Sequence, residues 1–413
     1  MSTRRSIAAF AVQSLSQFGW TFLNVRPPVS SIPLESFSDL YTSAFLTDPY
    51  PTLAALRSQA PVWWFAREQA FVVTRYDDAV AILGDYERFA DSTEDGAAVE
   101  SLEGDHIQLR SAVLRAFGTS FVADLEPTVK CLVDGLVEPF MGAGEMDFST
   151  LVANPLPTLV LAQILGVPVA DWRDFAGWAA DHTAALVDSA DEEIQARYRR
   201  SAHAALAYFV QRLAFSDAAD DLLGRLAQLH LSTSAILLFC QLLMVAARDL
   251  TTGLLTNALH ALLSHPTQLA RLRDEPRLME SAVEECLRWD APVLAQARVC
   301  RRDTSIRGVT VPSGRRVLVM LGAANRDPRF FPDPDRFHIA RPNASQHLAF
   351  GRGTRSCLGA PIARLEARVA LRAVLDRCPE LSLVAASPPR RRPGGSMLNL
   401  RSFESLPICW RPG

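Results

Sequence analysis

Lysine is nearly missing from this chain. Lys130 is the only one among 413 residues, although Lys+Arg together number 42. A phosphate-cradling loop sets a lysine after a glycine, and Val129 precedes this one, so that class of nucleotide site is excluded. Schiff-base chemistry has one available position. Paired cysteines are lacking as well: the seven, at 131, 240, 286, 300, 357, 378 and 409, contain no CxxC spacing. An odd, scattered set argues against a disulfide framework and a structural zinc site, and fits a reducing compartment. The longest apolar run, Ala235 to Ala247, is broken by Gln241 and stops at Arg248-Asp249. It falls short of the roughly 20 residues of a membrane span and reads as a buried helix. There is no excess of charge either. Asp+Glu number 45 and the net charge is −3, which argues against nucleic acid as a partner. Hydrophobic residues at 49% and charged residues at 21% exclude disorder as the main state.

Arg4-Arg5 ahead of Ile7 to Val12 looks only faintly like an export leader. The apolar run is about six residues, short for such a leader, and no A-x-A site follows. The segment is read as a short amphipathic tail ending before Pro27-Pro28, and the protein as soluble and cytoplasmic.

What the chain does contain is mostly helical period. Leu53 and Leu56 begin it, and Leu109, Val113 and Phe117, then 159–165, then 203–213, continue it. The strongest stretch is Thr233 to Leu263, free of proline and with only Gly253 among its residues. A helix this long and apolar belongs at the centre of a fold. Strand signals are few: Trp64 with Phe71-Val72-Val73, then Val309 to Val311 and Arg316 to Met320 around Pro312-Ser313-Gly314. The fold class is mainly α with minor β, the β portion split between the two ends. Length alone suggests two or three domains, yet no linker interrupts the pattern.

The most informative segment is Phe350-Gly351-Arg352-Gly353-Thr354-Arg355-Ser356-Cys357-Leu358-Gly359, followed at once by a helical run from Pro361 to Leu371. A cysteine at a loop-to-helix junction meets backbone N–H groups and the helix's positive end, and both favour thiolate. The glycines allow a flat partner to approach closely, and Arg355 can pair with an anion on it. A dinucleotide loop is excluded, because Ser356 stands three residues after Gly353. A redox or catalytic cysteine with a partnered histidine stays open on spacing alone.

These ten residues resemble the FGxGxRxCxG haem loop of the cytochrome P-450 superfamily at every fixed position. The resemblance spans roughly residues 45 to 410 and implies one haem-thiolate domain over 1–413, with 1–40 as a weakly matched extension. It implies the family's fold, a long central helix over haem b, with Cys357 as the iron ligand. Phe350, Gly351, Arg355 and Gly359 then shape the cofactor site. Glu285-Cys286-Leu287-Arg288 resembles the ExxR motif that braces the fold, and Arg336 in Asp335-Arg336-Phe337 resembles its third partner. His106 and Arg110, one helical turn apart, are similar to the family's HxxxR pair. With Arg298 and Arg355 they make four candidates for the haem propionates.

The central helix departs from the family. Its usual Ala/Gly-Gly-x-Asp/Glu-Thr-Thr appears here as Ala246-Ala247-Arg248-Asp249-Leu250-Thr251. The resemblance puts Ala246 against the haem and makes Asp249 the acid of proton delivery. Leu250 stands where the threonine belongs. Thr251 is the alternative alcohol, but one residue turns a helical side chain by about 100°, which points it toward helix surface or a local backbone bond. Val293, Leu294, Met397 and Leu398 fall in segments that line the family's substrate pocket. Implied partners are a small-molecule substrate and a separate ferredoxin-type electron donor, which Arg352, Arg364 and Arg368 around the loop could face, the protein itself being a monomer. The implied reaction is insertion of one O2 oxygen into a small organic substrate of secondary-metabolite type. Coupling, desaturation or peroxide-driven chemistry is the alternative that Leu250 raises, and non-catalytic ligand binding by a haem protein is the second.

Overall fold

The computed structural model describes residues 43–91, 110–111, 113, 117–187, 191–214, 221–228, 232–392 and 400–411. Most are helical, with minor strand. The strand-bearing ends, far apart in sequence, meet in one sheet. Val62–Phe65 and Ala70–Val73 form an antiparallel hairpin. Ala70–Val73 then runs parallel to Arg316–Val319, which pairs with Gln296–Cys300, and Phe89–Asp91 closes the edge. Successive strand residues point to opposite faces. Phe71, Val73, Val317 and Val319 therefore pack one small core with Ile82 and Phe331. Ala70, Val72, Leu318 and Met320 pack another with Leu53 and Leu56. Because both faces of Ala70–Val73 are covered, the strand reads as an unbroken apolar run.

The largest core is helical, and its axis is Thr233–Leu263, 31 residues with the bounds that the periodicity predicts. The Ser232 hydroxyl accepts from the Ala235 N–H at 3.2 Å and caps its start. Helices Pro155–Ile164, Trp172–Val187, Met279–Trp289 and Ala360–Arg377 pack around it. By length and composition this helix would also pass as a membrane span, but 62% of its most apolar window is buried inside the fold. At Gly253 it passes the segment after Met279–Trp289 and the C-terminal strands at close range. A Cβ there would lie 2.8 Å from the Arg401 carbonyl oxygen and 2.9 Å from Pro292 Cβ. Only glycine allows that approach, which fixes Pro292-Val293 beside the central helix.

Candidate active site

The loop before Ala360–Arg377 turns at Gly353, where φ is +77° and a Cβ would sit 3.2 Å from the Leu83 carbonyl oxygen. Conformation and space both call for glycine there. The Cys357 N–H donates to the Phe350 carbonyl at 2.9 Å and closes the turn. Backbone N–H groups of Gly359 and Ala360 donate to the Cys357 sulfur. Burial pushes the thiol up from its ordinary value, while those amides and the charges of Arg110 and Arg364 draw it down without prevailing. A coordinated metal ion would deprotonate such a thiol outright.

Cys357 lines a cavity of about 460 Å³, within the roughly 300–1,000 Å³ of small-molecule and cofactor sites. Ala349, Phe350, Leu358 and Ile362 line it from the loop and the helix behind it. Phe239, Leu243, Ala247, Leu250, Thr251 and Leu254 line it from the central helix. Arg110, Gln296 and Arg355 are its polar edge, and each arginine nearby has an orienting partner. Arg110 donates to the Ser356 carbonyl. Arg355 donates to the Tyr86 hydroxyl at 2.8 Å with its guanidinium 4.4 Å over that ring. Arg298, buried on Gln296–Cys300, donates to the Ala297 carbonyl at 3.0 Å and, with the Gln296 amide set to satisfy both, to its oxygen at 3.1 Å. An apolar slot, a sulfur with two amide donors and oriented guanidiniums suit haem: an axial thiolate and cationic partners for carboxylates. His106, Met397 and Leu398 lie outside the described residues, as does the side chain of Ala246.

Beneath the loop, Glu285 and Arg288 are both 0% exposed, so the pair is no surface decoration. Arg288 donates to the two Glu285 oxygens at 2.7 and 2.9 Å and to the carbonyls of Asn325 and Pro334. Its third partner is Arg341, a correction of Arg336. Arg341 Nε lies 3.1 and 3.2 Å from the Glu285 oxygens, and its other nitrogens donate to the carbonyls of Pro332, Asp333 and Arg336. The chain turns between 333 and 341, leaving the Arg336 side chain in solvent and bringing Arg341 inside. Complete pairing is what makes a buried charge cluster tolerable.

On the central helix, the acid and the alcohol part company. Thr251 is 6% exposed and lines the cavity, which corrects its reading as helix surface. Leu250 lines the cavity too. Asp249 is paired with Arg392 at 3.4 Å. Thr252 donates to the Ala153 carbonyl at 2.8 Å, a bond to the neighbouring wall. Val293 lines the cavity, whereas Leu294 belongs to the core on one face of the sheet.

The family sequence model described as Cytochrome P450 matches residues 147–400. The chain belongs to the cytochrome P450 family. It is 38% identical over 401 residues to cytochrome P450 monooxygenase PikC of Streptomyces venezuelae, covering 89% of this chain and 92% of that one. The crystal structure of CalO2 superposes with a TM-score of 0.84 at 32% identity, over 91% of this chain and 99% of that one. The structure of P450BioI in complex with an acyl carrier protein ligated to hexadec-9Z-enoic acid gives 0.80 at 32% identity, over 89% and 100%. This P450 is a haem-dependent monooxygenase, an oxidoreductase of the bacterial type.

Three features of the P450 site escape sequence reasoning. Arg364 and Arg368 do not form an open basic face: Arg364 is paired with Glu284, and Arg368 with Glu126 and Glu280. Asp290, directly after the ExxR helix, gathers Tyr50, Arg391 and Arg401 at 2.7–2.8 Å. Burial opposes its charge, but Arg401 and Arg391 hold the carboxyl far below the usual range. Glu366 lines the cavity at 3% exposure, and its Oε2 has no hydrogen-bond partner. Burial raises its carboxyl well above the ordinary value. Its place among Ala363, Ala367 and Ala370, one apolar helix face, was the available signal.

Proposed function

We propose that this P450 inserts one oxygen atom of O2 into a small organic substrate of apolar or mixed character, with electrons from a separate ferredoxin-type protein. The observation that carries this reading is the Cys357 sulfur, supplied with two amide donors, at a largely apolar cavity that the central helix also lines. Haem b held by Cys357 would supply the reduction and cleavage of O2 when bound. Arg110, Arg298 and Arg355, with His106, would hold its propionates. The loop face keeps water from the sulfur through Phe350 and Leu358. Val293, Leu250 and Thr251 contact substrate, and the aliphatic lining selects for apolar carbon. Asp249 passes protons into the cavity from the Arg392 side of the helix, and Thr251 orients the water that carries them. The whole chain works as a single unit, monomeric and cytoplasmic.

Leu250 favours a second reading of the outcome. A leucine on the cavity wall gives no hydrogen bond where the family has a hydroxyl, so the substrate's own polar group takes that place. The product of such a site can be coupled or desaturated, or formed from peroxide. The test is spectral. Ferrous–CO protein should show the red-shifted Soret band of thiolate ligation, and Cys357→His should abolish it. A ligand library titrated for displacement of haem water then identifies the substrate class.

A further inference from the structure

Glu284 stands next to Glu285 on the helix Met279–Trp289 but faces other partners. It receives Arg364 through two bonds, Nε at 2.6 Å and Nη2 at 2.9 Å, and lies 3.3 Å from His347 Nε2. His347 is 1% exposed at its side chain, and its Nδ1 accepts from the Ala349 N–H at 3.1 Å. With Nδ1 an acceptor, the neutral ring carries its hydrogen on Nε2, which lies 3.3 Å from the Glu284 carboxylate without making a hydrogen bond to it. The next backbone amide, Leu348, donates to Asn325 at 2.7 Å. The Arg364 guanidinium meanwhile lies 4.6 Å over the Phe350 ring, which His347 also flanks at 5.8 Å between centroids. The Phe350 carbonyl is the acceptor for the Cys357 N–H. One carboxylate therefore ties together the start of the loop, the aromatic beside the sulfur, and the helix that follows.

We propose that Glu284, through Arg364 and His347, is the brace that fixes Phe350 and so the thiolate loop. Arg364 is then a positioning residue and not part of the electron donor's docking face. A guanidinium that forks onto a carboxylate and stacks on a ring is committed in geometry as well as charge. A lysine cannot reproduce that fork, although it keeps the charge that a docking partner would feel. The proposal rests on Cys357 as the haem ligand.

The experiment uses holoprotein carrying Glu284→Asp, Arg364→Lys, Arg364→Leu or His347→Gln. Three quantities are followed: conversion of the ferrous–CO band from its thiolate to its non-thiolate position in mild denaturant, global unfolding by circular dichroism, and KM for a reduced ferredoxin. Groups behind a metal ligand typically change affinity by about 10- to 100-fold. Conversion should accelerate to that extent in the charge-conserving Glu284→Asp and Arg364→Lys, with the unfolding midpoint and ferredoxin KM unchanged. If Glu284→Asp yields no holoprotein, the more exposed Arg364→Lys decides. Unaltered conversion in Arg364→Lys overturns the proposal, as does a ferredoxin KM that rises in Arg364→Leu and is restored in Arg364→Lys. A wild-type protein without any red-shifted CO band would instead sink the Cys357 assignment, a separate failure.

Discussion

The two sides of the cavity are built on different terms. On the thiolate side the charged and sulfur groups are held by polar partners: Glu285 holds two arginines, Glu284 an arginine beside a histidine, and Cys357 two amides. On the central-helix side the lining is aliphatic, the family's alcohol is a leucine, and the acid is held from behind by Arg392. The first side must present one sulfur in one place whatever is oxidised. The second must fit a particular molecule. Polar networks fix geometry, whereas apolar walls fix shape, and the departure at Leu250 falls on the apolar wall.

Breaking the thiolate side should have the largest effects. Cys357→Ala should remove the red-shifted CO band completely, as read in a single reduced spectrum. Next comes the buried cluster. Removing one member of a fully buried ion pair costs about 3–5 kcal/mol, so Glu285→Gln or Arg341→Leu should give protein that does not retain haem in a gel-filtration assay. Arg336→Ala, which loses only an exposed side chain, should behave as wild type. That contrast between Arg341 and Arg336 tests whether the observed third partner is the one that matters.

The central-helix side should respond in rate and not in assembly. A positioned proton donor contributes about 10² to 10⁴. Asp249→Asn should slow O2-driven turnover within that range and spare turnover driven by hydrogen peroxide, with haem content unchanged. Equal loss of both activities would assign Asp249 a structural role through Arg392. Leu250→Thr should act more weakly. If ordinary hydroxylation is the native reaction, it raises the share of electrons that reach product. If the substrate fills that space with its own polar group, coupling stays flat and substrate binding changes.

The smallest effect is one of pH. Burial opposes charge on Glu284, yet His347 and Arg364 hold its carboxyl down at about 2. A group depressed in the folded state stabilises fully above its ordinary value and loses that contribution as pH falls toward the folded one. The lifetime of the thiolate CO band should therefore be flat from pH 8 to about 5 and shorten below the ordinary carboxylate value. A shortening already between pH 8 and 6 would point to a different titrating group.

How legible this was depended on the kind of interaction. The loop 350–359 and the pair Glu285 and Arg288 were readable because fixed geometry requires fixed residue types at fixed spacing. The central helix was readable to its end residues, since apolar period and the absence of proline agree. Arg341 was not, because which of two nearby arginines turns inward depends on the backbone path from 333 to 341. Leu294 was misplaced for a similar reason: composition marks a residue as apolar, but only the path of the backbone says whether it meets a ligand or the core. Thr251 shows the limit of counting by 100°, since a helix that lines a cavity broadly can show two neighbouring residues to it.

Glu366 carries a consequence of a different kind. A carboxyl in its protonated form has a carbonyl stretch that absorbs apart from ionised carboxylates and from the amide band. Among the described residues it is the one acid that burial raises so far, and it borders the same cavity as Cys357 and Leu250. Infrared difference spectra with and without bound molecules, and of Glu366→Gln as a blank, would give this enzyme a native vibrational probe. No label would be introduced, and the frequency would register how dry the interior becomes as each candidate molecule enters.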